Sequence, residues 1–456
     1  MNHSTLTAKQ RCIEPNCSTD FGLGQRLYTC TKCGGLLEIV YAGPERFDAV
    51  ELREVWRARR SSGDPRDRSG VWRFRELLPF SEDAPVVSLF EGNTPLYRAN
   101  RAATYAGAHN LWLKHQGANP TGSFKDTGMT AAVTQALILG AKTVVCASTG
   151  NTSASLAAYA ARAELQCAIL VPGGQVSHGK LAQSLDYGAQ VLELEGNFDD
   201  CMRVIRELAE DPSIYLVNSI NPFRIEGQKT VAIELAEQLN WQVPDHVVMP
   251  GGNLGNSSAF GKGFAELFAL GLIDRLPKLS VVQAAGAAPF AALAPEGRVD
   301  SLTDVDGIPD DLLNPVTDPK TLATAIKIGA PVSWKKSLRA VADSGGRILS
   351  VTEQEIADSK AVIGRDGIGC EPASATTVAG IKKLTADGFI GADETVVAIL
   401  TGHVLKDADY VIRYHSGALE APADGNPELL NSSFANPPSR VAADASAILE
   451  KLRSKV

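Results

Sequence analysis

Asn119-Pro120-Thr121-Gly122-Ser123-Phe124-Lys125-Asp126-Thr127-Gly128-Met129 is the stretch from which the rest of the chain is read. Lys125 stands between an aromatic ring, Phe124, and a carboxylate, Asp126. Small and turn-forming residues precede it, and a helical, apolar stretch follows over residues 129–139. The pattern presents a lysine on a loop at a helix start, where its ammonium is partly stripped of water. Desolvation lowers a lysine pKa, and a neutral amine is what forms a Schiff base with a carbonyl. The plain alternative is a solvated surface lysine, the usual fate of that residue. Three segments downstream decide between the two.

Ser148-Thr149-Gly150-Asn151-Thr152-Ser153 lies between an apolar strand-like run, 143–146, and an Ala-rich helical run, 154–162. A hydroxyl-rich turn of this kind is either an ordinary helix cap or an anion site, because helix N-termini carry unpaired N–H groups and a favourable dipole. Gly251-Gly252-Asn253-Leu254-Gly255-Asn256 repeats the arrangement, with a strand at 246–249 and a helix at 257–270. Glycines let backbone N–H groups approach a phosphate closely. The segment is neither a nucleotide P-loop, since no GK[ST] follows the glycines, nor a dinucleotide G-x-G-x-x-G turn. Leu400-Thr401-Gly402-His403-Val404-Leu405-Lys406-Asp407 follows the apolar strand 396–400. A hydroxyl at the carboxyl end of a strand meets ligands in open α/β sheets. For His403 a satisfied structural role is the simpler expectation.

Strand-like runs at 143–147, 167–171, 190–194, 215–218, 246–249, 280–284, 347–351 and 396–400 alternate with helical patterns. That alternation argues an α/β fold with parallel sheets covered on both faces. The segment 131–219 has enough units for a small sheet of its own. Residues 47–83 read as peripheral and helical, with Trp56 and Trp72 as packing anchors. Residues 296–318 hold seven acidic residues and two prolines, which reads as a long, mobile loop. A short amphipathic helix is expected at 441–452.

The chain of 456 residues has 44 Lys and Arg against 52 Asp and Glu, a net charge of −8. Non-specific nucleic-acid binding is not expected of it. Any phosphate site must be local. No apolar run is long enough for a transmembrane helix, and the N-terminal residues lack a signal-peptide core, so the expected location is the cytoplasm. Cys12, Cys17, Cys30 and Cys33 follow the spacing C-x4-C-x12-C-x2-C. This suits a small, closed zinc ribbon with a structural role, or a knuckle that has lost its metal. Cys146, Cys167, Cys201 and Cys370 are scattered and expected to be reduced.

Together these segments resemble the pyridoxal-phosphate enzymes of fold type II and, within them, the threonine synthase family. The likeness runs over residues 91–407. It includes Glu91-Gly92-Asn93-Thr94-Pro95-Leu96, Asn221-Pro222-Phe223-Arg224-Ile225-Glu226-Gly227-Gln228-Lys229-Thr230, Ala325-Ile326-Lys327-Ile328-Gly329 and Pro331-Val332-Ser333-Trp334. The Asn221 segment, the Pro331 segment and the Thr401 run carry the finer likeness. Three positions depart from the family pattern: Thr127 replaces Arg, Val404 replaces Gly and Ala330 replaces Asn.

The resemblance implies two open parallel-sheet domains with pyridoxal 5'-phosphate in the cleft, plus the N-terminal cysteine module. The implied division is 1–42 for that module, 43–130 and 220–410 for the large domain, 131–219 for the small domain and 411–456 for a C-terminal extension. It implies Lys125 as covalent anchor and base. It implies cofactor contacts from Phe124, Asn151 at the 3'-oxygen, Gly252, Asn253, Leu254, Gly255 and Asn256 at the phosphate, and Thr401 at the ring nitrogen. A second anion site for O-phospho-L-homoserine falls to Ser148, Thr149, Thr152, Ser219, Arg224 and Asn253. The implied reaction replaces phosphate at Cγ by water at Cβ to give threonine, in a homodimer. Rival readings are a phosphoserine-using, cysteate-synthase-like enzyme, an amino-acid deaminase, or a zinc-ribbon regulatory protein without catalysis.

Overall fold

The computed structural model describes residues 7–42, 47–173, 178–196, 198–299, 308–423 and 427–453. The first sheet is antiparallel. β1 (Thr7–Cys12) pairs on one side with β2 (Asp20–Phe21) and on the other with β3 (Leu37–Ala42), with Cys12 opposite Leu37. A helix, α1 (Ala49–Arg59), and two short 3-10 turns then bury Trp56 and Trp72, as the sequence predicts.

The largest sheet has six strands. β4 (Leu96–Arg98) is its antiparallel edge and β5 (Asn110–His115) comes next. After α2 (Arg101–Ala106) and α3 (Lys125–Ile138), the chain leaves to build a second, four-stranded sheet. That sheet consists of β6 (Thr143–Ala147), β7 (Gln166–Pro172), β8 (Gln190–Leu194) and β9 (Ile214–Leu216). Its order is β8-β7-β6-β9 and all its pairs are parallel. The crossovers are α4 (Asn151–Arg162), α5 (His178–Asp186) and α6 (Phe198–Leu208).

The chain returns to the large sheet through α7 (Pro222–Gln238), then adds β10 (His246–Pro250), α8 (Gly255–Ala269), β11 (Lys278–Ala284), α9 (Trp334–Ser344) and β12 (Ile348–Val351). After α10 (Glu353–Arg365) and α11 (Pro372–Ala386), β13 (Thr395–Leu400) inserts between β10 and β5. The order is β12-β11-β10-β13-β5-β4. β10 and β13 read as nearly continuous apolar runs, as expected where both faces of a sheet are covered. The eight strands expected from the alternation all form.

α7 is buried from Pro222 to Ala236, with α3 on one side and α8 on the other. This explains its lack of a polar stripe. α3 and α7 cross so closely that a Cβ on Gly227 would stand 1.9 Å from the Thr127 carbonyl oxygen. Thr127, where the family has Arg, thus sits at a helix crossing, and its hydroxyl donates to the Phe124 carbonyl at 2.9 Å.

Some expectations are corrected. β5 is central, yet its alternation is blurred by Trp112 and Lys114 and no strand is predicted there. α3 starts at Lys125 itself, four residues earlier than expected, and α4 starts at Asn151. In the acidic stretch, residues 300–307 lie outside the described residues, and so does the expectation of mobility there. The flanks are anchored rather than poor in apolar contacts: Val299, Ile308 and Leu313 join a buried cluster with Phe290 and Trp334. The C-terminal region adds a short hairpin, β14 (Glu420–Ala421) with β15 (Glu428–Leu429), and ends in α13 (Ala445–Arg453) after α12 (Ala408–His415).

Candidate active site

The lysine loop is held from three directions. Glu91 accepts from Tyr159 Oη at 2.7 Å and from the Leu89 N–H at 3.1 Å, which fixes the Glu91-Gly92-Asn93 turn. The Gly92 N–H then donates to Asn119 Oδ1 at 2.8 Å, at the start of the loop. Asp126 accepts from the Thr121 N–H at 2.7 Å, from Thr121 Oγ1 at 2.6 Å and from Ser155 Oγ at 2.6 Å. Its carboxylate therefore staples the loop into shape rather than facing the Lys125 amine. Burial pushes its pKa up to about 6 against those hydrogen bonds. On the far side the Phe124 N–H donates to the Thr401 carbonyl at 2.9 Å, and the His403 N–H to the Gly122 carbonyl at 2.9 Å.

Lys125 opens α3, half-buried, with Nζ 3.6 Å from the centre of the Phe124 ring. Burial lowers its pKa to about 7, the Arg224 charge adds to the fall and Glu371 opposes it. At neutral pH a large share of this amine is unprotonated, which is what the sequence argument requires.

Asn151 and Thr401 meet at a residue the sequence reading did not single out. Glu371 accepts from Asn151 Nδ2 at 2.9 Å and from Thr401 Oγ1 at 3.1 Å. It is 1% exposed, and burial raises its pKa. Ser374 completes the group, with Oγ 3.0 Å from Thr401 Oγ1 and accepting from the Thr401 N–H at 2.8 Å. One signal was available: Pro372 marks a helix start, and the acid just before it occupies the cap position. His403 caps the short turn that follows it: Nδ1 accepts from the Leu405 N–H at 3.2 Å.

The Gly251 to Asn256 turn joins β10 to α8. Leu254 is left-handed, with φ 62°, the conformation that anion-binding backbone nests use. No side chain caps α8. Ser257 and Ser258 instead donate back to the Leu254 carbonyl at 3.0 and 2.7 Å. Asn256 is 6% exposed, and both its Oδ1 and Nδ2 lack a partner. A buried amide without partners is costly unless something fills the turn. A phosphate accepting from Nδ2 and the nest amides fits this turn. Asn253 is partly committed, since Oδ1 accepts from the Val332 N–H at 2.6 Å.

The residues expected at a second anion site gather near the carboxyl ends of β6 and β9. Asn218 bridges those ends, accepting from the Ala147 N–H at 3.1 Å and donating to the Ala147 carbonyl at 3.2 Å. Ser148 and Ser219 are the next residues on each side. The cap of α4 is Gly150, with no side-chain cap bond, so the hydroxyls of Thr149 and Thr152 are not spent on capping. Arg224 is 3% exposed, donates to the Val217 carbonyl at 3.3 Å, and leaves Nε unpartnered. Burial lowers its pKa to about 10. The surface pair with Glu226 that would make Arg224 unremarkable does not form. Glu226 instead binds Lys229 and Lys262, each at 2.7 Å. Among the described residues no carboxylate pairs with Arg224.

A buried amine near neutrality, Asn151 and Thr401 gathered on one carboxylate, and a turn whose buried Asn256 amide lacks partners fit a cofactor enzyme of the pyridoxal-phosphate class. The family model described as "Pyridoxal-phosphate dependent enzyme" matches residues 87–402, and the chain belongs to that family. Its curated relatives narrow the assignment. The threonine synthase of Methanocaldococcus jannaschii is 48% identical over 91% of this chain and 97% of that protein. That of Methanosarcina acetivorans is 45% identical over 88% and 93%. Within the class, the chain is a member of the threonine synthase family. Among solved structures, a processed threonine deaminase isoform 2 from Solanum lycopersicum superposes with a TM-score of 0.57 at 19% identity, over 78% of this chain and 85% of that one. That likeness supports the fold alone.

Proposed function

We propose that the protein converts O-phospho-L-homoserine and water into L-threonine and inorganic phosphate, with Lys125 as anchor and base and Arg224 as clamp on the departing phosphate. The observation that carries the reading is Arg224, a buried guanidinium with no carboxylate partner among the described residues, whose charge lowers the pKa of the very lysine expected to react. An anionic group on the substrate would satisfy it, and guanidinium geometry suits a phosphate.

Bound pyridoxal phosphate supplies an electron-withdrawing system that acidifies the substrate carbons next to its amine. The chain's residues do the rest. The Gly252 to Asn256 turn and Asn256 Nδ2 would hold the cofactor phosphate. Phe124, Asn151 and Thr401 would hold its ring, Asn151 serving the 3'-oxygen and Thr401 the ring nitrogen. A hydroxyl serving that nitrogen would leave it unprotonated and favour elimination and replacement over transamination. Lys125, once free, would take the Cα proton and then a Cβ proton. Phosphate would leave Cγ toward Arg224, Ser148, Thr149, Thr152 and Ser219, with Asn253 Nδ2 at the edge; a proton delivered to Cγ completes the methyl group, water adds at Cβ, and a proton returned to Cα completes threonine. The small sheet, which brings Asn151, and the large sheet, which brings Thr401, form the two walls. We assign residues 131–219 to the small domain and 43–130 with 220–410 to the large one.

We read Cys12, Cys17, Cys30 and Cys33 as a structural zinc site. Their four sulfurs lie within 4.8 Å of one another, compact enough for one tetrahedral ion. Four thiolates leave no open position for chemistry. No helix among the described residues is long and apolar enough to cross a membrane. The free state of all eight cysteines supports a reducing, cytoplasmic setting. We take the working unit to be a homodimer, supported by the large apolar side chains of Leu405 and Ile412, left 74% and 66% exposed.

The deciding experiment is phosphate release with identification of the amino-acid product, on phosphohomoserine and phosphoserine separately. Threonine from the first substrate supports the reading. Turnover of phosphoserine alone overturns it in favour of β-replacement chemistry.

A further inference from the structure

The cysteine module touches both helices that frame the phosphate turn. Glu14, two residues after Cys12, meets Lys335 Nζ through both carboxylate oxygens, at 2.9 and 3.1 Å. Lys335 lies in the first turn of α9. Just before it, the Val332 N–H donates to Asn253 Oδ1 at 2.6 Å and the Ser333 N–H to the Asn253 carbonyl at 3.2 Å. Trp334, between them, packs in one buried cluster with Leu254, the left-handed residue of the turn. β3 adds two contacts. Lys336 Nζ donates to the Leu37 carbonyl at 3.1 Å, and Lys262 of α8 to the Ile39 carbonyl. α8 and α9 are locked together by Ser257 and Ser337, with hydroxyls 2.7 Å apart, and by Gly261, where a Cβ would stand 2.3 Å from the Ala340 Cβ.

The strap 328–332 is fixed at Gly329, whose carbonyl accepts from the Val316 N–H at 3.0 Å, and at the buried Pro331. Its contacts with Asn253 come from Val332 and Ser333, the two residues that lead into α9. We propose that the cysteine module is a positioning element for the cofactor-phosphate turn, with the Glu14–Lys335 ion pair as its link to Asn253. The module is then more than a separate stabilising appendage. It shapes the affinity for the cofactor without touching it. The inference rests on reading Gly252 to Asn256 as the phosphate cradle.

The test titrates pyridoxal phosphate into cofactor-free protein, following its absorbance, for wild type, Glu14→Ala, Lys335→Met, the double variant, Asn256→Ala and Asp20→Asn. Asp20 sits in the module but pairs only with Lys9 and Arg11 there. Glu14→Ala and Lys335→Met should each raise the cofactor Kd about 3- to 30-fold, and the double variant no further. The turnover number at saturating cofactor should stay near wild type, and Asp20→Asn should bind like wild type. An unchanged Kd in both link variants while Asn256→Ala binds weakly overturns the coupling. Additive losses in the double variant, with lowered thermal midpoints, mean two unrelated destabilisations and overturn it as well. Unchanged binding by Asn256→Ala removes the cradle reading, and the proposal goes with it.

Discussion

Glu371 accepts a hydrogen bond from Asn151 at 2.9 Å, and so a residue at the start of α11 grips a residue at the start of α4 across the seam between the two sheets. The same carboxylate accepts from Thr401. Both donors assigned to the cofactor ring are thus engaged by one carboxylate, and each must turn from it to reach its own ring atom. Glu371→Gln keeps the shape but removes one acceptor and the charge. Because Glu371 raises the Lys125 pKa, the variant should move the pH profile of cofactor capture to lower pH. A stopped-flow titration of capture rate against pH measures this, and an upward move would refute the electrostatic role.

Lys125→Ala should abolish threonine formation and leave no cofactor band that resists dialysis. The amine serves as anchor and base, so no residual route is expected. Full turnover by this variant would remove Lys125 from the mechanism.

Arg224→Ala should lower kcat/KM for phosphohomoserine about 30- to 1000-fold, the scale of losing a charged clamp. Cofactor affinity should change little. The variant should also raise the Lys125 pKa, since the Arg224 charge lowers it. Capture of the cofactor would then demand higher pH, opposite in direction to Glu371→Gln. An equal fall in cofactor binding would reassign Arg224 to the cofactor phosphate.

Lys125 also imposes a pH dependence on the stability of the cofactor-free protein. Its folded pKa of about 7 lies below its unfolded value, so between those values the unfolded chain binds more protons. Stability should therefore rise with pH above about 7, and the burial cost is greatest below it. Replacing Lys125 by Met should flatten that rise and stabilise the cofactor-free protein at pH 6 by about 1–3 kcal/mol. Chemical denaturation at pH 6 and pH 9 tests the sign.

Metal analysis of purified protein should find about one zinc per chain. Replacing Cys30 and Cys33 by Ser should release it and lower the thermal midpoint, while the turnover number at saturating cofactor holds. Four free thiols and no metal in fresh protein would mark the module as a metal-free knuckle.

The sequence made the parallel strands and the polar turns legible because both are local signals. β6, β10 and β13 are continuous apolar runs, and Asn151 and Gly252 sit in strand-to-helix turns. β5 escaped because Trp112 and Lys114 interrupt its pattern; Lys114 is buried only because Glu234, far along the chain, pairs with it. Glu371 escaped for a similar reason. An acid before a proline looks like a helix cap until Asn151 and Thr401 arrive from two other elements. Asp126 was visible, but its task was not, since Thr121 comes round within the loop and Ser155 arrives from α4. Arg224 was found by motif. Its solitude is a property of packing, decided by where Glu226 turns.

If Arg224 holds the departing phosphate, the folding equilibrium of this molecule would respond to its own product. Among the described residues this buried guanidinium has no carboxylate partner, so inorganic phosphate beside it should tighten the folded form in proportion to its occupancy. The chain would be firmest where the reaction has just finished, and letting phosphate go would mean returning to a less stable form.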